Sequence, residues 1–207
     1  ALAVIFRGHV AVRARLRGGP RLGNDDARVD ELARVIVERF CALVRAHPTI
    51  NGGHFKASLI SYGLNAYEGA LEPATSDGRG AGEPLSNSMS PSNGAERKGP
   101  TAVLSSLSRI DQTAIGYGNS LNLRLPIGLF DSDKGTDSVA ALVRGYFTQG
   151  GFHVQFNAVD AATLRAAQAC PADYPDLIVR VSGYSAYVTR HGRQIQDAII
   201  GRTALAP

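Results

Sequence analysis

Residues 177–187 read "LIVRVSGYSAY". A β-branched run, Leu177-Ile178-Val179-Arg180-Val181, meets a lone glycine, Gly183, with two tyrosines behind it. The run predicts a strand, nearly all apolar and therefore buried on both faces. Gly183 would end it. A glycine there serves as a turn or bulge, or it is needed because it has no side chain; these residues alone leave both readings open. Downstream, Arg193–Thr203 predicts a helix with Ile195, Ile199 and Arg202 along one side. Upstream, Asp160 opens a short helix that stops before Pro171, and "FHVQFNAV" (152–159) alternates Phe152, Val154 and Phe156 with His153, Gln155 and Asn157. Thr136 is placed to cap a helix carrying Val139, Leu142, Val143, Tyr146 and Phe147, closed by Gly150-Gly151. "NSLNLRL" (119–125) sets Leu121, Leu123 and Leu125 at strand period. Strand, helix, strand, helix, strand is the grammar of an α/β fold. No internal repeat is present.

The first half reads as helices and one long polar stretch. Residues 2–17 carry Leu2, Ile5, Phe6, Val12 and Leu16 at a loose helical period, stopped by Gly18-Gly19-Pro20. "GNDDARVDELARVIVERFCALVRAHP" (23–48) is the clearest helix. Asp26 can cap it, Asp30 and Glu31 suit the positive end of its dipole, and His47-Pro48 ends it. Val29, Leu32, Ile36, Phe40 and Leu43 predict one buried stripe, and Cys41 within the helix predicts a packing role. "TSDGRGAGEPLSNSMSPSNGAERKGP" (75–100) has no periodicity, and a loop that long is disordered or functional. Composition favours disorder. Pro100 then suits the first turn of a helix bearing Val103, Leu107 and Ile110.

Composition excludes some classes. With 44% hydrophobic and 19% charged residues in 207, the chain has the make-up of a soluble globular protein, and no apolar stretch reaches the ~20 residues needed to span a bilayer. The net charge of +4 comes from scattered Lys and Arg, not from the basic stripe with stacking aromatics that nucleic-acid binding needs. Cys41 and Cys170 have no metal-ligand spacing, which predicts a reducing, cytoplasmic setting and no metal. "ALAVIFRGHVAVRARLRGG" (1–19) reads as a helix entered midway, which predicts a start that has been cut off.

Several blocks then converge. "GNDD" with Asp30 beyond it, "SDGRGAGEPLSNSMSPSNGAERKGPTAV" (76–103), "GGFHVQFNAVD" (150–160), "CPADYPDLIVRVSGYSAY" (170–187) and Gln196 with "IIGRT" (199–203) stand in order along the chain. Together they resemble the glycyl radical enzymes, a group that includes pyruvate formate-lyase, glycerol and diol dehydratases, choline lyase and arylacetate decarboxylases. The resemblance implies an α/β fold that is the C-terminal part of a ten-stranded barrel, with the Gly183 loop inserted toward the barrel centre. Residues 1–110 would belong to the pyruvate formate-lyase-like barrel and 111–207 to a glycine radical domain. It also implies that the 75–100 loop is ordered and packed. Gly183 would store a radical and pass it to a cysteine outside this chain, for cleavage or elimination on a small organic substrate. Formate C-acetyltransferase chemistry, or a stand-alone radical subunit, are the alternatives.

Cofactors and partners follow from the same resemblance. The radical would be installed by a separate activating enzyme that uses S-adenosylmethionine and a 4Fe-4S cluster, with none of these held by this chain. The complete protein would be a homodimer with no nucleic-acid or membrane partner. Arg180, Ser182, Tyr184, Gln196 and Arg202 would support the radical loop, Tyr184 and Tyr187 by packing. Ile60, Gln155 and Asn157 fall where relatives line a substrate pocket, although polar residues filling a pleat read the same way. Neither Cys41 nor Cys170 has the setting of the thiyl residue. Ser76 before Asp77, Arg21-Leu22, and the polar "VTRHG" (188–192) depart from the family's usual residues, the last giving a surface His191.

The choice of glycine has a physical reason. Removing a hydrogen atom from an α-carbon leaves an unpaired electron between an amide nitrogen, which donates density, and a carbonyl, which withdraws it. Delocalisation over both flattens the centre. A Cβ would clash with the neighbouring peptide groups and resist flattening; glycine has none.

Overall fold

The computed structural model describes residues 8–180 and 184–203. The chain runs α1 (Val10–Gly18), α2 (Ala27–Arg45), α3 (Asn65–Leu71), α4 (Gly99–Ser108), β1 (Asn122–Arg124), α5 (Asp133–Thr148), β2 (Gln155–Asn157), α6 (Ala161–Ala169), β3 (Ile178–Arg180), β4 (Ser185–Tyr187) and α7 (Arg193–Thr203). Among the described residues no helix is long and apolar enough to cross a membrane.

The α/β grammar is realised as a crossover unit. β1 and β2 pair in parallel, Asn122 opposite Gln155, Leu123 opposite Phe156 and Arg124 opposite Asn157, and parallel neighbours require a long connection, here α5. Leu121, Leu123 and Leu125 are buried, as their spacing predicted. The cap of α5 differs from expectation. Ser132 is the N-cap, its Oγ accepting the Gly135 N–H, while Thr136 sits inside the first turn and its hydroxyl donates to the Ser132 carbonyl. Two hydroxyl residues four positions apart compete for that cap, and the one in extended backbone takes it.

The main core joins α2, α4, β1 and α5 through Cys41, Val103, Leu104, Leu107, Leu121, Leu123 and Tyr146. Tyr146 is fully enclosed, and its hydroxyl exchanges hydrogen bonds with the Gln112 amide (2.8 and 3.1 Å), so neither buried polar group is left unpaired. Asp26 caps α2 as expected, accepting the Arg28 N–H. The buried side of α2 is not the expected stripe, however. Leu32, Ile36, Phe40 and Leu43 are exposed, and Asp30, Ala33, Val37, Cys41 and Val44 face the core. α2 carries two apolar stripes, and the inward one includes Asp30, which Arg109 at the end of α4 reaches at 2.8 Å.

Residues 72–98 form no helix or strand but are packed, so the composition-based expectation of disorder fails and the expectation of order holds. Asn87, Met89 and Ala95 are buried. The Arg79 guanidinium donates to the carbonyls of Gly69, Pro73 and Glu83, and Asn24 donates to Ala95 O and accepts from Arg97 N. Side-chain donors do here what a strand partner would do for the backbone.

β3 and β4 form an antiparallel hairpin, Ile178 opposite Tyr187 and Arg180 opposite Ser185. Leu164 of α6, Val179 of β3, Val188, and Ile199 and Ile200 of α7 make a second, smaller core beneath it. The strand is therefore buried on one face only. Val179 is 3% exposed and Ile178 48%, because α6 and α7 cover one side of the hairpin and no described residue covers the other.

Candidate functional site

The β3–β4 hairpin brackets Gly183. Val181, Ser182 and Gly183 lie outside the described residues, as does the Arg202 side chain; the frame around them is described. At its base the Arg180 guanidinium donates to Ser185 Oγ at 3.1 Å. Asn157 of β2 takes both backbone groups of Arg180: its Oδ1 accepts the N–H at 2.7 Å and its Nδ2 donates to the carbonyl at 2.8 Å. On the other side Gln196 of α7, 7% exposed, donates to the carbonyls of Val188 (3.1 Å) and His191 (2.9 Å). It thereby satisfies the turn that leads out of β4 and holds it on the final helix. The Arg190 guanidinium lies 4.3 Å from the centre of the Tyr187 ring. Tyr184 does not pack as expected; it is 40% exposed. His191, expected at the surface, is half-buried with its Nε2 enclosed.

A narrow cavity lies between this hairpin and the 87–96 segment, lined by Asn87, Glu96, Asn122, Arg124, Asn157 and Arg180 on its polar side and by Leu164, Val179 and Ile199 on its apolar side. Amides run through it in series. Ser61 Oγ donates to Asn87 Oδ1 at 3.3 Å, Asn122 Nδ2 donates to the same oxygen at 2.8 Å, and Gln155 Nε2 donates to Asn122 Oδ1. The three candidate pocket residues are placed differently: Gln155 is buried against β1, Asn157 is tied to Arg180, and half-buried Ile60 adjoins the bridge between Leu59 and Asn119. Arg124 pairs with Glu96 at 3.2 Å; burial pushes the guanidinium's pKa down and Glu96 opposes the shift. Among the described residues Glu96 Oε2 and Asn87 Nδ2 are buried with no hydrogen-bond partner.

Sequence reasoning missed the Asp25–Arg109–Asp30 cluster. Arg109 reaches Asp25 at 2.5 Å and Asp30 at 2.8 Å, and Asp30 is completely buried. Burial raises the Asp30 pKa, and the Arg109 charge works against it. No sequence period links Asp30 to Arg109; the signal was the acidic density of "NDD…D" in a helix start otherwise facing apolar neighbours. Cys41 is buried in the main core, where burial raises its thiol pKa, and Cys170 is exposed at the end of α6. Among the described residues no group of three or more His, Cys, Asp or Glu side chains converges as a metal-binding set.

Comparison with known proteins places this arrangement. The glycine radical family matches residues 85–189 and the pyruvate formate lyase-like family matches residues 1–69. The chain belongs to the glycyl radical enzyme family. It is 38% identical to trans-4-hydroxy-L-proline dehydratase of Clostridioides difficile, over 98% of this chain and 26% of that protein. It is 37% identical to (2S)-3-sulfopropanediol dehydratase of Klebsiella oxytoca, over 88% of this chain and 23% of that protein. In structure it matches the glycerol-bound B12-independent glycerol dehydratase of Clostridium butyricum with a TM-score of 0.91 and 40% identity, covering 97% of this chain and 26% of the other. The chain thus spans about a quarter of the length of the curated relatives it matches.

Proposed function

We propose that this chain is the radical-storing, C-terminal part of a glycyl radical enzyme of lyase or dehydratase type, with Gly183 as the radical carbon. The observation that carries the reading is the glycine radical match over residues 85–189, which includes Gly183 and both strands that bracket it. The pyruvate formate lyase-like match over residues 1–69 supports a large catalytic subunit over a stand-alone radical carrier.

In this reading the chain's own residues do the storing. Gly183 supplies an α-carbon that can flatten. Arg180, Ser182, Tyr184 and Gln196 support the loop, and Val179 and Val188 keep its base dry. The radical passes to a cysteine outside this chain, whose thiyl abstracts hydrogen from the substrate. Relatives named as dehydratases of hydroxyproline, sulfopropanediol and glycerol support loss of water from a small hydroxylated substrate. Gln155 and Ile60 remain pocket candidates by position, whereas the Asn157 amide is taken up by the Arg180 backbone. The complete protein is a ten-stranded α/β barrel with the hairpin loop toward its centre, and a homodimer. The exposed Leu32, Ile36, Phe40 and Leu43 of α2 fit a face covered by the rest of such a barrel. An activating partner supplies S-adenosylmethionine and a 4Fe-4S cluster, which generate the hydrogen-abstracting radical.

The reading is tested by oxygen. Full-length enzyme, activated anaerobically and then exposed to air, should be cut at Gly183 and release a fragment beginning there; a Gly183→Ala enzyme should stay whole. Intact activated wild-type chains would contradict the assignment.

A further inference from the structure

β2 and β3 belong to different sheets, and Asn157 joins them. Its backbone carbonyl accepts the Leu125 N–H at 3.0 Å, continuing the parallel pairing with β1. On its other side the side-chain amide engages the N–H and the carbonyl of Arg180. An amide side chain carries the same donor and acceptor as a peptide unit. Asn157 therefore acts as a strand one residue long, linking the body's parallel pair to the hairpin.

The remaining support under the hairpin is different in kind. Leu164, Val188, Ile199 and Ile200 pack with Val179 in the second core, and they fix the hairpin on α6 and α7 without setting its register against β2. Apolar contact is non-directional; two short hydrogen bonds to one residue's backbone are not. Arg180 and its partner across the hairpin, Ser185, flank residues 181–184, so a shift of Arg180 along β2 moves both described ends between which Gly183 lies.

We propose that Asn157 is a positioning residue for radical transfer, fixing Arg180 on β2 through its side-chain amide and so setting where the Gly183 segment stands. This rests on the reading of Gly183 as the radical carbon. Among the described residues, the best-placed donor and acceptor of Asn157 are spent on backbone, which argues against a role in touching substrate.

The test uses activated full-length enzyme with Asn157→Leu, which keeps the branched outline and removes both bonds, and Asn157→Asp, which keeps the acceptor and loses the donor. Each is measured for spins per chain by electron paramagnetic resonance, for kcat and KM, and for amide exchange at Arg180. Spins per chain should match wild type. The kcat per spin should fall about 10²-fold in the Leu variant and about tenfold in the Asp variant, with KM unchanged, as for a displaced reacting group. Arg180 amide exchange should rise about fivefold in the Leu variant. If the Leu variant does not fold, the Asp variant carries the test. Equal spins with unchanged kcat per spin and a raised KM would overturn the proposal and make Asn157 a substrate contact. A wild-type enzyme without any radical signal would overturn the Gly183 reading and this proposal with it.

Discussion

The two cores of this molecule are built by different rules. The body packs α2, α4, β1 and α5 around large apolar side chains, and adds a charge pair between buried Asp30 and exposed Arg109 and a buried Tyr146–Gln112 pair. Among the described residues the hairpin module under Gly183 has a core of Leu164, Val179, Val188, Ile199 and Ile200, and is tied by single amides at Asn157 and Gln196. A small core with directional ties is easier to open locally than a large one. The hairpin thus rests on a small core of its own, fastened to a larger one.

The largest expected effect breaks that comparison at its chemical end. Gly183→Ala should abolish the radical signal completely while the unfolding free energy of the full-length protein stays within about 1 kcal/mol of wild type; a large loss of stability would make Gly183 a turn glycine instead. Next, Leu107→Ala in the body and Leu164→Ala in the module each remove a side chain that is almost wholly buried, costing ~2–5 kcal/mol. They should differ in reach. Leu107→Ala should lower global stability by denaturant titration, whereas Leu164→Ala should chiefly raise amide exchange across residues 161–200. Equal, global effects would merge the two cores into one. Arg109→Met leaves Asp30 buried without its charge partner and, with the Arg109 side open to solvent, should cost about 1–2 kcal/mol, confined to the body and read by the same titration.

The smallest effect is at the entrance of α2. The Arg28 side chain and backbone N–H hold the Asp26 carboxyl down at about 2, against an ordinary 3.8. A depressed folded-state value means that the contribution of Asp26 is present above 3.8 and is lost as pH falls toward about 2. Carbon NMR of the Asp26 carboxyl should show its midpoint near 2; a midpoint near 3.8 would remove the cap's charge from the account.

Much of this was readable in the sequence where a local rule sufficed. Asp26 and Asp160 cap their helices, the leucines of 121–125 face inward, and the β1–α5–β2 unit follows from alternation and spacing. The face of α2 was not readable. Both of its stripes are apolar, and the partner that marks the inward one, Arg109, lies 79 residues from Asp30. The burial of β3 was misjudged for a related reason: a run of Ile and Val states that a strand is apolar, and only the packing of α6 and α7 decides that one face is covered. The order of the 75–100 loop rests on scattered pairs such as Asn24 with Ala95 and Arg97, which no period encodes. The reading of Gly183 as a radical carbon rests on the order of the blocks around it, since a single glycine after a strand is common. Asn157 was picked out for its position, and its two bonds to Arg180 could be seen only once both strands were in place.

The bare α-carbon of residue 183 is tested most directly by isotope. Full-length enzyme grown on glycine deuterated at the α-carbon and activated anaerobically should give an electron paramagnetic resonance signal whose doublet, seen with ordinary glycine, has collapsed. A doublet that persists with deuterated glycine, or an enzyme that turns over substrate with no signal, would contradict it.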